Sequence, residues 1–248
     1  MDSATFHFHD ELNFFLPHHS EHAAIEHRFN WRSSIKDMVE SLGVPHAEVS
    51  LLVVNGQSVS FDHIMQAGDQ VEIYPRFETG NGVTPRIRLR PPYPGRPRFI
   101  LDQHLGRLAA YLRMLGFDTL YRNDYHDEEL ARVSHDETRI LLTRDVGLLK
   151  RSLVIYGYYV RSIYRQSQLE EISARYNLLT MSEPFKHCMK CNGLLEKVPK
   201  EVGLSRLPDG TANHYDEFHR CQSCERIFWK GAHYQRMQEL LDIIMNPR

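Results

Sequence analysis

Four phrases, Phe99-Ile-Leu-Asp102, Thr119-Leu-Tyr-Arg122, Asp127-Glu-Glu-Leu130 and Arg139-Ile-Leu-Leu-Thr-Arg-Asp145, punctuate one stretch of the chain. The short apolar runs read as buried strands at 99–101, 118–121 and 139–143. Between the first two, Leu105, Leu108, Ala109, Leu112 and Leu115 repeat at helical spacing and stop at Gly116. A second helix is expected from Asp127, and a third through Val146, Leu148, Leu149 and Leu153, capped by Gly157. A strand from Tyr158 to Ile163 and a helix from Gln166 to Tyr176 complete the pattern. Alternating strands and helices predict a parallel α/β sheet. Two strands lead into Asp102 and Asp145, and Asp127 opens the helix between them. Ligands gather at the carboxyl ends of such strands, and three carboxylates delivered there suit Mg²⁺ or Mn²⁺. Each aspartate also stands where a helix cap is expected, which is the competing reading.

Outward from this stretch, the most specific signal is Cys188-Met-Lys-Cys191 with Cys221-Gln-Ser-Cys224. These four cysteines, the only ones in the chain, predict a closed tetrahedral Zn²⁺ site that is structural rather than catalytic. His187, His219 and His233 are alternative donors that the site does not need. After it come Phe228-Trp229-Lys230-Gly231-Ala232-His233-Tyr234 and a terminal helix through Met237, Leu240, Leu241 and Ile244. Lys230 and Arg236 beside these aromatics are candidate RNA contacts.

Toward the N-terminus, residues 1–77 alternate as a small β-rich domain. Strands are expected at Ala4–Phe8, with the apolar face continuing through Leu12, Phe14, Phe15 and Leu16, and at Ile25–Phe29, Val49–Val54 and Val71–Tyr74. A helix capped by Ser33-Ser34 carries Ile35, Met38, Val39 and Leu42, and Asn55-Gly56 marks a tight turn. This order suggests a ubiquitin-like β-grasp. Residues 78–98 read as a Pro- and Gly-rich linker whose Arg86, Arg88, Arg90, Arg96 and Arg98 have no acidic residue between Glu78 and Asp102. That strip is either a solvated connector or a phosphate-binding surface with Tyr93 for stacking. Arg107, Arg113 and Arg144 are further phosphate candidates near the acids.

With 248 residues, 42% hydrophobic and 25% charged, the composition is that of a globular protein of one to three domains. A net charge of −2 excludes a globally basic nucleic-acid binder, so any such surface is local. The sequence offers neither a long apolar run nor a basic leader, so no membrane partner and a cytoplasmic location are expected.

Two resemblances sharpen these expectations. Phe6-His-Phe8, Val54-Asn-Gly56 and Gly68-Asp-Gln-Val-Glu-Ile-Tyr-Pro75 resemble the ubiquitin-like domain that accompanies the Mut-seven C-terminal ribonuclease family. Phe99–Asp102, Leu105–Asp118 and Leu141–Asp145 resemble the ribonuclease domain itself, which is PIN-like, and its trailing zinc ribbon resembles 188–234. The resemblance implies a β-grasp domain (1–77), a linker (78–98), a PIN-like domain (99–180), and a zinc ribbon with a terminal helix (181–248). It also implies metal-dependent hydrolysis of RNA, with transfer RNA or another structured RNA as substrate, and a protein partner for the ubiquitin-like part. Asp102 and Asp145 match the strand-end acids, and Asp127 matches the helix-borne one with Glu128 as its competitor. The family's fourth acid has no counterpart in Tyr158-Tyr-Val-Arg-Ser162, so one metal is expected rather than two. The alternative is a non-catalytic RNA- or ribosome-binding protein on a degenerate PIN scaffold.

Overall fold

The computed structural model describes residues 2–18, 21–29, 32–76, 86–203, 215–231, 234, 235 and 239. The expected terminal helix, His233 and Arg236 lie outside them. The chain forms two compact units, the first made of Met1–Pro94, Ala131–Glu137 and Asp145–Tyr159, the second of the remainder.

The first unit holds strands β1 (Asp2–Phe8), β2 (Ile25–Phe29), β3 (Leu51–Val54), β4 (Gln57–Val59) and β5 (Gln70–Tyr74), and helix α1 (Ile35–Ser41). The sheet order is β2-β1-β5-β3-β4, with β1 and β5 parallel and the other neighbours antiparallel. This is the expected β-grasp arrangement. Alternate residues Ala4, Phe6 and Phe8 turn inward to meet Ile35, Met38 and Val39 of α1. Ser34 caps α1 by accepting the Asp37 amide at 3.2 Å. Asn55 and Gly56, at φ 50° and 81°, form the β3–β4 turn that right-handed strand twist favours. Past β1 the apolar run does not continue as a strand. It winds into a 3₁₀ turn over Asp10–Phe15, pinned by buried Asn13, which donates to the carbonyls of Phe8 (2.9 Å) and Asp10 (3.1 Å).

In the second unit, β6 (Phe99–Leu101) lies between β7 (Thr119–Tyr121) and β8 (Ile140–Thr143), all parallel. The registers Phe99↔Thr119 and Phe99↔Ile140 bring the three strands to a common carboxyl edge. Helix α2 (Gly106–Met114) buries Leu108, Ala109 and Leu112, as its spacing predicts. Gly116 ends it at φ +85°, where a Cβ would stand 1.9 Å from the Glu183 carbonyl oxygen, so only glycine is accommodated. Helix α3 (Asp127–Asp136) follows β7.

The segment after β8 departs from expectation. Helix α4 is only Val146–Leu149, and Leu153 is 43% exposed rather than on a buried helical face. Gly157 is not a helix cap; it opens β9 (Gly157–Tyr159), where a Cβ would press within 3.0 Å of Leu149, Val154 and Ala47 side chains. This segment is fastened within the first unit. Buried Glu48 accepts the Tyr159 amide, Lys150 Nζ donates to the Glu40 carbonyl at 2.6 Å, and the Tyr159 ring packs on Phe14 and Phe15. Helix α5 (Arg165–Tyr176) then returns to the second unit with Leu169 and Ile172 inward.

Strands β10 (Leu195–Val198), β11 (Phe218–Cys221) and β12 (Ile227–Trp229) form a small antiparallel sheet next to the cysteines. A set of polar contacts joins this lobe to β7. Asn192 accepts the Thr119 amide at 2.9 Å and donates to Asp118 Oδ1 at 2.6 Å. Asp118 in turn receives both terminal nitrogens of buried Arg139, at 2.9 and 2.8 Å. Burial works to raise the Asp118 carboxyl, but its hydrogen bonds with Arg139 and Asn192 prevail and hold it below the ordinary aspartate range. A carboxylate whose folded value is depressed contributes stability above its unfolded value, about 3.9, and loses it as pH falls through the folded value. Asp118→Ala leaves the Arg139 guanidinium buried without its partner. The expected loss is about 3 kcal/mol in urea unfolding at pH 7, with the gap from wild type narrowing below about pH 4.

Candidate metal centre and acidic residues

The cysteines stand on two knuckles built alike. In the first, the Cys188 amide donates to the Gly193 carbonyl (2.8 Å) and the Asn192 amide to that of Cys188 (2.9 Å). In the second, the Cys221 amide donates to Arg226 (2.9 Å) and the Glu225 amide to Cys221 (2.9 Å). Each turns on a left-handed residue, Asn192 at φ 69° and Glu225 at φ 57°. Gly193 lets the knuckles meet, since a Cβ there would fall 2.4 Å from Ser223 Oγ and 2.9 Å from Cys221 Sγ. The four sulfurs all lie within 4.8 Å of one another, with Cys188–Cys224 at 3.7 Å and Cys191–Cys221 at 3.4 Å. A tetrahedron of Zn–S bonds near 2.3 Å has S–S edges of about 3.8 Å. The set therefore fits a zinc ion without rearrangement of the backbone. Burial pushes the Cys188 thiol up to about 12. Burial acts in the same direction on Cys221, but amide donors from Cys224 and Ser223 and the neighbouring thiols bring it down to about 7. Cys221 thus offers a thiolate near neutrality, and bound zinc would draw protons from the rest.

Among the described residues, this is the one group of three or more His, Cys, Asp or Glu whose donor atoms come that close. The acids are set out differently. Asp102 follows β6, is 7% exposed, and continues the ladder through its amide to the Leu142 carbonyl at 3.1 Å. Its Oδ2 accepts the Thr143 hydroxyl at 2.9 Å and its Oδ1 the Gln103 amide at 2.6 Å. Among the described residues no Lys, Arg or His forms an ion pair with it. Its charge is felt nearby: burial first, then Asp102, pushes the Tyr121 hydroxyl up. That hydroxyl donates to the Gln103 carbonyl at 2.8 Å. Asp127 is half-buried and Glu128 exposed, both in the first turn of α3. Asp145 is exposed and caps α4, its Oδ1 accepting the amides of Gly147 (2.7 Å) and Leu148 (3.3 Å).

Several of the arginines named as phosphate candidates have protein partners in the structure. Arg113 is 4% exposed and donates to the carbonyls of Thr119 (2.8 Å), Met189 (3.3 Å) and Lys190 (3.1 Å). It ties the cysteine-bearing lobe to β7. Arg144 donates to the carbonyls of Val160, Arg161 and Ser162 at 2.7–2.9 Å. Arg90 donates to Ala47 (2.7 Å), Ile155 (3.0 Å) and Val49 carbonyls, so the basic strip is fastened there rather than solvated. Arg96 pairs with Glu183 (2.6 Å) and donates to the Gly116 carbonyl (2.9 Å). Arg86, Arg88, Arg98 and Arg107 are exposed. Lys230 is exposed and bridges to Glu217 at 2.9 Å. Sequence reasoning passed over Arg165 and Lys190. Lys190 was marked only by lying between two ligand cysteines, and Arg165 by opening α5.

The cysteine geometry carries a direct test. The purified chain is expected to hold one zinc ion that is released as pH falls, because the thiolates must be reprotonated. Cys221→Ser should lower apparent zinc affinity by more than the roughly 10–100-fold that loss of a supporting contact costs, read by competition with a chromophoric chelator.

Comparison with known families agrees with this architecture. Residues 97–241 match the family model described as the Mut7-C RNAse domain, and residues 1–81 match that of the Mut7-C ubiquitin domain. No curated protein and no solved structure matches the chain. With more than half of its length in the first of these matches, the chain belongs to the Mut7-C RNAse domain family and carries a Mut7-C ubiquitin domain ahead of it.

Proposed function

We propose that this chain hydrolyses RNA phosphodiester bonds with the aid of a Mg²⁺ or Mn²⁺ ion held by Asp102, Asp127 and Asp145, with Glu128 as the neighbouring acid on α3. One observation carries the reading: Asp102 is a buried carboxylate at the carboxyl edge of a parallel sheet, and among the described residues no cation pairs with it. A buried charge without a counter-charge is costly, and a hard divalent cation is the partner that such oxygen donors select. Thr143 holds one oxygen of Asp102 and the Gln103 amide the other, so the carboxylate is oriented before anything binds. A bound cation supplies Lewis acidity and an activated water. The chain's own part is to aim the carboxylates and to keep the 160–162 turn fixed through Arg144 and Glu171, which accepts the Arg161 and Ser162 amides.

Membership of the Mut7-C RNAse domain family supports RNA as the substrate, and a structured RNA such as transfer RNA is the proposed target. A protein partner for the ubiquitin-like domain and a cytoplasmic location, in keeping with cysteines placed to hold a metal rather than to form disulfides, belong to the same proposal. A second reading, RNA binding without cleavage, is favoured by the use of Asp145 as a helix cap and by the absence of an acid in 158–162.

Asp102→Asn keeps the hydrogen-bonding shape and removes the charge. It is expected to lower Mg²⁺- or Mn²⁺-dependent cleavage of labelled RNA by at least about 100-fold while leaving zinc content unchanged and the melting temperature no lower than that of wild type. Equal cleavage by wild type and variant would remove Asp102 from the site. Metal-independent binding with no cleavage by the wild type would favour the second reading.

A further inference from the structure

Two hollows in the second unit share a wall. The first, about 630 Å³, starts at Gln103 and His104, immediately after Asp102, and runs over α2 to the first zinc knuckle. Arg107, Arg165 and Lys190 line it, all exposed, and among the described residues none of their side chains has a hydrogen-bonded or ion-paired partner. That sets them apart from Arg90, Arg96, Arg113 and Arg144, which are committed to carbonyls or carboxylates. The second hollow, about 410 Å³, is apolar and lies on the zinc lobe, walled by Phe185, Phe228, Trp229 and Tyr234. Met189 and Lys190, between the two ligand cysteines, line both. Neither lining contains an aspartate or glutamate, although acids outnumber lysines and arginines in the chain, 32 to 30.

We infer that the two hollows form one binding track for an unpaired, single-stranded segment of RNA, such as a structured RNA offers at its ends and loops, with phosphates on Arg107, Arg165 and Lys190 and an unstacked base in the aromatic pocket. The inference rests on the proposed action on RNA and names the form of RNA taken. Unpaired cations facing a groove without acids select a polyanion. An aromatic pocket selects a π-face, and a base offers its face only when it has left a duplex. An apolar peptide would fill the pocket but leave the three cations uncompensated. The zinc site then has a role beyond folding: it holds the Met189-Lys190 crest where the phosphate track passes into the base pocket. The track begins beside Asp102, so a strand seated in it would bring its backbone to that acid.

The test is fluorescence anisotropy of the full chain with a labelled oligouridylate of about twelve nucleotides, a site size within the range of single-strand binders, in a salt series without added Mg²⁺ or Mn²⁺. Wild type is expected to bind it more tightly than a duplex of equal length or an abasic ribose-phosphate polymer. Arg107→Glu, Arg165→Glu and Lys190→Glu should each weaken binding about tenfold and flatten the salt slope by about 0.7. Phe185→Leu keeps the pocket apolar and should erase the preference for uridylate over the abasic polymer. Zinc content and melting temperature report that each variant is folded. Wild-type affinity and slope in the triple charge variant would overturn the phosphate track, and equal binding of uridylate and abasic polymer would overturn the base pocket. Oligouridylate binding with these dependences but no RNA cleavage in Mg²⁺ or Mn²⁺ would remove the proposed hydrolase and leave the track. Cleavage of RNA unaffected by the triple variant would do the reverse.

Discussion

The second unit depends on one side chain amide. Asn192 accepts the Thr119 amide, donates to Asp118, and, in a left-handed conformation, also turns the first zinc knuckle. A single residue therefore links a sheet strand, a buried ion pair and a metal-ligand loop. Arg113 runs alongside, tying the Thr119 carbonyl to the carbonyls of Met189 and Lys190. Hydrogen bonds to charged groups in a partly buried setting are worth more than neutral surface ones. The zinc lobe is thereby held to the nuclease-family sheet as one body rather than hung from it by a linker. A lobe with a core this small depends on such ties, and a metal held by its four cysteines would add to them.

The readable part of the fold was the part that local chemistry dictates. Strands such as Ile140–Thr143 are buried along their whole length, so their composition announces them. The Cys-X-X-Cys pairs disclose a ligand set because metal geometry demands the spacing. The glycines at 56 and 116 stand where backbone conformation requires them. The unreadable part lies in long-range partnerships. Nothing in Arg113 or Arg90 distinguishes an arginine that will clamp carbonyls from one that will face solvent, because all but one of these acceptors lie dozens of residues away. Val146-Leu148-Leu149-Leu153 kept helical spacing, yet the helix stops at Leu149 and Leu153 is left half-exposed. Periodicity reports which residues are apolar, and tertiary packing decides which of them are covered.

The candidate site divides in the same way. The cysteines were legible as a set, whereas the acids were legible only one at a time. Asp102 differs from Asp145 in a manner no motif expresses: one is buried and oriented by a threonine from the next strand, the other is exposed and caps the helix it precedes. Which cations stay unpaired is likewise set by where the carbonyls and carboxylates of distant segments fall, and no motif in the sequence expresses that.

The fastening of Asp145–Tyr159 within the first unit has a consequence for how the chain is made. Domains are generally completed in the order in which they leave the ribosome. Here the N-terminal 94 residues emerge first, yet the acceptor on Glu48 waits for the Tyr159 amide, and the Ile155 carbonyl has still to reach Arg90. The sheet strands β6, β7 and β8 are all synthesised during that wait. Maturation of the first unit is therefore coupled to translation of the second, and a ribosome pausing between Pro94 and Tyr159 would present a β-grasp with its last tenants missing.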